Sequence, residues 1–216
     1  MKINQSGEFV WGSNGFNQVL GLLFSDSNGG ALVVAPRMVW RFTENDAKRE
    51  IFTIPTPKSG AVESGFWNSA ADQQGNAYYS WWDSCEGKSR LFTQKMNYSG
   101  EIQWSAGGIP YGGSPLISDG TGGMIYQYSD NRGIPPFSWH VQRIDQQGNP
   151  VWGPDGVCFR ARQEYLTGGW SYRLVADGAG GVIIVWEEQD TSDLSWRIKI
   201  QSVGADGELG RWQMPD

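Results

Sequence analysis

Residues 115–152 read PLISDGTGGMIYQYSDNRGIPPFSWHVQRIDQQGNPVW. The stretch holds four short apolar runs separated by turn chemistry. Pro115–Ser118 predicts a strand A, and Asp119-Gly120-Thr121-Gly122-Gly123 predicts a tight turn. Met124–Tyr128 predicts strand B, and a variable connection follows it. Ser138–Ile144 predicts strand C, Asp145–Gly148 a second turn, and Asn149–Trp152 strand D. Glycine supplies the positive φ that such turns need, and Asp or Asn caps them by accepting backbone N–H bonds.

The same pattern recurs outward from this stretch. The first turn reappears at Asp26, Asp72 and Asp177, giving spacings of 46, 47 and 58 residues. The second motif, Gln142-x-x-Asp145-x-x-Gly148 ending at Trp152, reappears as Gln94-x-x-Asn97-x-x-Gly100 ending at Trp104. A looser copy runs from Gln201 to Trp212, and its tail alone stands at Gly7–Trp11. A fixed period in this range means one supersecondary unit copied in tandem. Continuously apolar runs such as Ala31–Val34 and Val182–Trp186 suit strands buried on both faces. No capped helical pattern is present. Four-stranded repeats of about 50 residues describe the blades of a β-propeller. The fold expected is therefore all-β, a propeller of four blades with four antiparallel strands each. It forms a single domain over 1–216, with repeats at about 16–60, 61–108, 109–156 and 157–212, and an N-terminal strand at 3–15 that closes or caps the ring. The first repeat departs from the pattern. Ile54–Gly60 lacks the Gln and the Trp, so one outer strand is expected to be missing there.

Composition agrees and narrows the function. Glycine is 30 of 216 residues and tryptophan 12, which suits many tight turns around a large apolar interior. A net charge of −6 with no Lys/Arg cluster argues against nucleic acid and anionic membrane as partners. No apolar run is long enough to insert into a bilayer. Residues 1–5 carry no hydrophobic signal core, which fits an intracellular chain or one whose signal has been removed. Cys85 and Cys158 are read as free thiols. One histidine, His140, and two cysteines make a zinc site improbable, and no cofactor motif is present, so no metal and no cofactor are expected. The turn aspartates are read as caps.

The pairing of Asp-Gly-x-Gly-Gly-(apolar)-Trp with Gln-x-x-Asp-x-x-Gly-x-x-x-Trp-Gly-x-x-Gly resembles the repeats of poorly characterised bacterial β-propeller proteins, mostly of the surface or secreted kind. The resemblance spans residues 3–212. It implies the propeller fold and an extracellular or cell-surface location, and it carries no known chemistry.

Comparing the repeats with each other separates two faces. The A–B and C–D turns are stereotyped. The B–C and D–A connections vary: 41–49, 83–90, 130–137 and 187–194, then 105–113 and 153–170. Variable loops on a rigid scaffold are where binding tends to sit. Counting eleven residues from each turn aspartate picks out Arg37, Asp83, Asp130 and Glu188 at one rim. Trp81, Tyr128 and Trp186, nine residues on, are read as packing, as are Trp139 and Trp196; Tyr128 also adjoins the rim. Trp40, Trp67, Trp82 and Trp170 fall outside the pattern and beside variable connections, as does Arg132. Aromatic rings stack on sugar C–H faces and carboxylates accept hydroxyl bonds. The expected ligand-binding residues are thus Arg37, Trp40, Trp67, Trp82, Asp83, Tyr128, Asp130, Arg132, Trp170 and Glu188, with no catalytic residue named. The expected role is a non-catalytic binding module for a glycan, or for a protein ligand, through the variable face. The alternatives are a glycoside hydrolase or lyase using rim carboxylates, which needs two carboxyls about 5–9.5 Å apart, and a self-associating structural subunit, a homo-oligomer, of a surface assembly.

Overall fold

A computed structural model describes residues 22–25, 30–35, 38–42, 49–53, 63–85, 88–130, 137–162, 172–189 and 192–210. It is all-β, and no helix occurs among the described residues. Among the described residues, fourteen strands form four antiparallel sheets. The chain divides into two compact units, 1–110 and 111–216.

The first unit holds two sheets. One contains β1 (Leu22–Ser25), β2 (Ala31–Ala35), β3 (Met38–Phe42) and β4 (Arg49–Thr53), hydrogen-bonded in that order; the other contains β5 (Glu63–Ala71), β6 (Ala77–Cys85) and β7 (Lys88–Met96). The second unit likewise holds β8 (Leu116–Ser118), β9 (Met124–Asp130), β10 (Phe137–Ile144) and β11 (Val157–Arg162) in one sheet. Its other sheet has β12 (Tyr172–Ala176), β13 (Val182–Gln189) and β14 (Trp196–Val203). Strands A, B and C of the repeat are therefore present four times.

Three turn aspartates, Asp72, Asp119 and Asp177, cap their turns, and Asp26 lies outside the described residues. Asp119 Oδ1 accepts from the N–H of Thr121 at 2.8 Å and of Gly123 at 2.7 Å. Asp72 and Asp177 accept in the same way from the residues two and four positions on. The two glycines of the motif have different tasks. Gly122 and Gly180 sit at φ of 97° and 95°, where a side chain is strained. Gly123 is needed for space: a Cβ there would lie 2.1 Å from the Ile144 carbonyl oxygen.

Strand D falls elsewhere than expected. Residues 149–152 make only one bridge, Ile144 to Pro150, and the fourth strand of that sheet is β11. The intervening arm is clamped by the buried Gln142 side chain. Its Oε1 accepts from the Arg143 N–H at 3.0 Å and the Trp152 N–H at 3.1 Å, while Nε2 donates to the Gly153 carbonyl at 2.6 Å. Gly153 and Gly156, at positive φ, then turn the chain back so that pairing resumes at Val141–Val157. Gln94 holds Trp104 by the same three bonds. The Gln…Trp-Gly-x-x-Gly spacing is thus a clamp on a buried tryptophan rather than a hairpin.

The first repeat is also redrawn. Its outer strand is present as β4. Two residues, 36–37, separate β2 from β3, and 43–48 separate β3 from β4, so 41–49 is not the B–C connection. Likewise β6 and β7 run on into 83–90, leaving only 86–87 between them.

Within each unit the sheets pack by one rule. Leu32, Val34 and Val39 of the first sheet meet Ala77, Tyr79, Trp81 and Met96 of the second, all buried. Ile125 and Val141 of the third meet Tyr172, Leu174, Val182, Ile184, Trp186 and Val203 of the fourth. In repeat terms, B position six of one sheet lies against positions five, seven and nine of the next in both units, and Val34 adds position eight in the first. Each fully buried large side chain contributes about 1.5–3 kcal/mol, so each interface stabilises the unit that contains it.

Candidate functional site

Strand periodicity decides which rim residues share a face, because successive side chains alternate. Position eleven lies with position nine, not with position ten. Asp83 therefore shares a face with Trp81, while its sequence neighbour Trp82, half-buried, points to the other side. The aromatic–carboxylate pairing recurs as Trp81/Asp83, Tyr128/Asp130 and Trp186/Glu188.

The three pairs differ in how they are satisfied. Glu188 in β13 is held by Arg160, with Nη2 3.2 Å from Oε1, and accepts from the Trp186 indole N–H at 3.3 Å. Arg160 also donates to the Tyr172 hydroxyl at 3.0 Å. Rings of Trp139, Phe159, Tyr172 and Trp186 surround this ion pair, with centroid distances of 4.8 Å for Trp139–Tyr172 and 5.5 Å for Phe159–Trp186. Arg160 was expected in a loop and instead lies in β11.

Asp130 ends β9, half-buried, and the Ser138 hydroxyl reaches its carbonyl at 3.5 Å. Tyr128 stacks on His140 at 5.3 Å, and its hydroxyl donates to the Asp155 carbonyl. His140 Nδ1 is 2.9 Å from that same carbonyl, which can only accept, so Nδ1 carries a proton. Nε2 is 2.8 Å from Ser138 Oγ. The lone histidine is thus satisfied within the sheet and its flanking arm. Burial pushes the Tyr126 phenol well above its usual range, with a smaller push from Tyr128 and Tyr111.

Asp83 is different. It lies inside β6 rather than in a loop, is only 6% exposed, and its Oδ1 is buried with no hydrogen-bond partner. Its face is aromatic: Tyr79 stacks on Trp81 at 5.3 Å and Trp81 on Phe92 at 5.7 Å. Directly across the ladder stands Arg90, exposed at the variable end of the sheet. Arg90 has no repeat signature and was not singled out from sequence; only the β6–β7 register reveals it.

The other expected residues are placed as follows. Trp40 lies in β3, half-buried, not in a connection. Trp67 lies in β5 at a bulge between Phe66 and Asn68, and its side chain is outside the described residues. Arg37, Arg132 and Trp170 fall outside the described residues. Of the tryptophans read as packing, Trp81 and Trp186 are buried, whereas Trp196 is 53% exposed; Trp104 and Trp152 of the second motif are buried as well. Cys158 is a free, exposed thiol, and the Cys85 side chain is outside the described residues.

No protein-family model and no curated protein matches the chain. Among solved structures it is similar to an endo-arabinase from Bacteroides thetaiotaomicron VPI-5482, at 12% identity and a TM-score of 0.40, over 89% of this chain and 78% of that one. A likeness of that strength carries no argument about activity.

Proposed function

We propose that the four sheets are blades of the propeller type and that the chain is a non-catalytic carbohydrate-binding module. In this reading the ligand meets the variable end of the β5–β7 sheet. The observation that carries it is the Asp83 carboxylate, buried on the strand face that carries Tyr79 and Trp81, with Oδ1 lacking a hydrogen-bond partner. A buried polar group without a partner costs about 1–3 kcal/mol, and more when charged. Sugar hydroxyls are donors of the kind such an oxygen lacks. Arg90 opposite adds donors for the same sugar's oxygens.

The test is a glycan array on the wild type and on Asp83→Leu. Wild type binds at least one glycan class and the variant binds none. A wild type that binds no glycan ends the carbohydrate reading, and binding that survives in the variant moves the site away from this carboxylate. The unliganded variant is also expected to gain about 1–2 kcal/mol in urea melts, since an apolar side chain removes a buried oxygen that lacks a hydrogen-bond partner.

A further inference from the structure

Strand β14 alternates strictly: Trp196, Ile198 and Ile200 on one side, Arg197, Lys199 and Gln201 on the other. The ladder with β13 shows which side is which. Lys199 pairs with Trp186 and Gln201 with Ile184, both core residues, so the polar set shares the face already packed. The apolar set shares the opposite face with Val185 and Glu187 of β13. That face is open. Trp196, Ile198 and Ile200 are 53%, 70% and 47% exposed, and Val175 of β12 is 55% exposed. Alternation normally turns the apolar set inward, so this strand is patterned to be covered on the side that is bare.

The repeats show what such a face does elsewhere. Ile200 pairs with Val185 as Val39 pairs with Val34 and Val141 with Gln127. Val39 and Val141 are fully buried, each against the following sheet of its unit. The fourth sheet presents the same face to solvent, and a contiguous apolar patch of this kind marks an interaction surface.

We infer that this face is a dimer interface, occupied by the same face of a second copy of the chain. Charge placement favours the copy. Arg173 of β12 and Glu187 of β13 are the two charged residues on this face, both exposed, and they lie in different cross-strand rows. A two-fold axis lying between the stacked sheets brings each Arg173 over the partner's Glu187, twice, beside the apolar residues of β14. Like faces related in this way close on themselves and stop at two copies, and stacked sheets sit about 10 Å apart.

The test is sedimentation velocity of the full chain over about a hundredfold concentration range, with wild type, Ile198→Asp, Arg173→Glu, Glu187→Arg and the double reversal. Wild type sediments as a dimer. Ile198→Asp, at a site 70% exposed in the single chain, sediments as a monomer with an unchanged circular dichroism spectrum. Each single reversal weakens dimerisation about tenfold, and the double reversal restores it to within about threefold. A wild type that stays monomeric throughout overturns the inference. So does a dimer that Ile198→Asp leaves intact, or a double reversal no better than the singles.

Discussion

Gln142→Leu is expected to destabilise the chain by about 3 kcal/mol, seen as a drop of about 6–12 °C in the melting temperature. The side chain is 1% exposed and makes three bonds to backbone: from Arg143 N–H, from Trp152 N–H, and to the Gly153 carbonyl. Leucine fits the volume and removes all three, leaving two donors and an acceptor without their side-chain partner. The loss then spreads. Trp152, 6% exposed, donates its indole N–H to the Ala205 carbonyl at 3.1 Å and lies against Gly207, where a Cβ would stand 3.0 Å from its ring. Freeing the arm therefore releases a contact between the third and fourth sheets. Gln201→Leu is the control, since Gln201 is half-buried and its side chain donates to Gly210 and Ser202 without holding a described tryptophan. Its expected cost is about 1 kcal/mol. Equal losses in the two variants would show that the clamp on Trp152 contributes nothing beyond ordinary hydrogen bonds.

The clamp also marks the boundary of what the sequence discloses. Strands A, B and C were legible because apolar runs and turn residues are local signals, and the cap geometry of Asp119 and its equivalents followed from residue type. Strand D was not, because Asn149–Trp152 looks like a strand by composition while a side chain ten residues earlier holds it as an arm. The outer strand β4 was missed for a related reason: Arg49–Thr53 carries neither the Gln nor the Trp by which the others were recognised. At the candidate site, counting from the turn located Asp83, but Trp82 beside it faces the other side, since adjacent residues in a strand face apart. Fuller burial is what sets Asp83 apart from Asp130 and Glu188, which also lie in strands. The exposure of Trp196 was equally hidden. Its alternation with Arg197 and Lys199 is plain in the sequence, but the side on which the core lies is fixed only by the ladder with β13.

Asp119→Ala is expected to cost about 3–4 kcal/mol at neutral pH. The carboxylate is fully buried and closes the turn before β9, accepting from Thr121 N–H, Gly123 N–H, the Thr121 hydroxyl at 2.7 Å and Arg143 Nε at 2.8 Å. Arg143 is itself only 15% exposed, so the variant strands a guanidinium and two backbone donors. The charge makes this a pH-dependent contribution. Burial alone pushes the Asp119 carboxyl up, but the four donors together outweigh it and hold the group below its ordinary value of 3.8. The folded state thus binds this proton less readily than the unfolded chain. Its stabilisation is complete above the unfolded value, about 3.9, and is lost as pH falls from there through the lower folded value. Asp119→Asn separates charge from shape. It keeps an acceptor for the turn N–H groups but turns an amide toward Arg143, and it has no proton to gain. Urea melts of wild type and Asp119→Asn at neutral pH should differ by about 2 kcal/mol, and the difference should narrow steadily once the pH drops below about 4. A gap that stays constant into strong acid would mean that the neutral turn geometry, not the ionised carboxylate facing Arg143, is what this residue supplies.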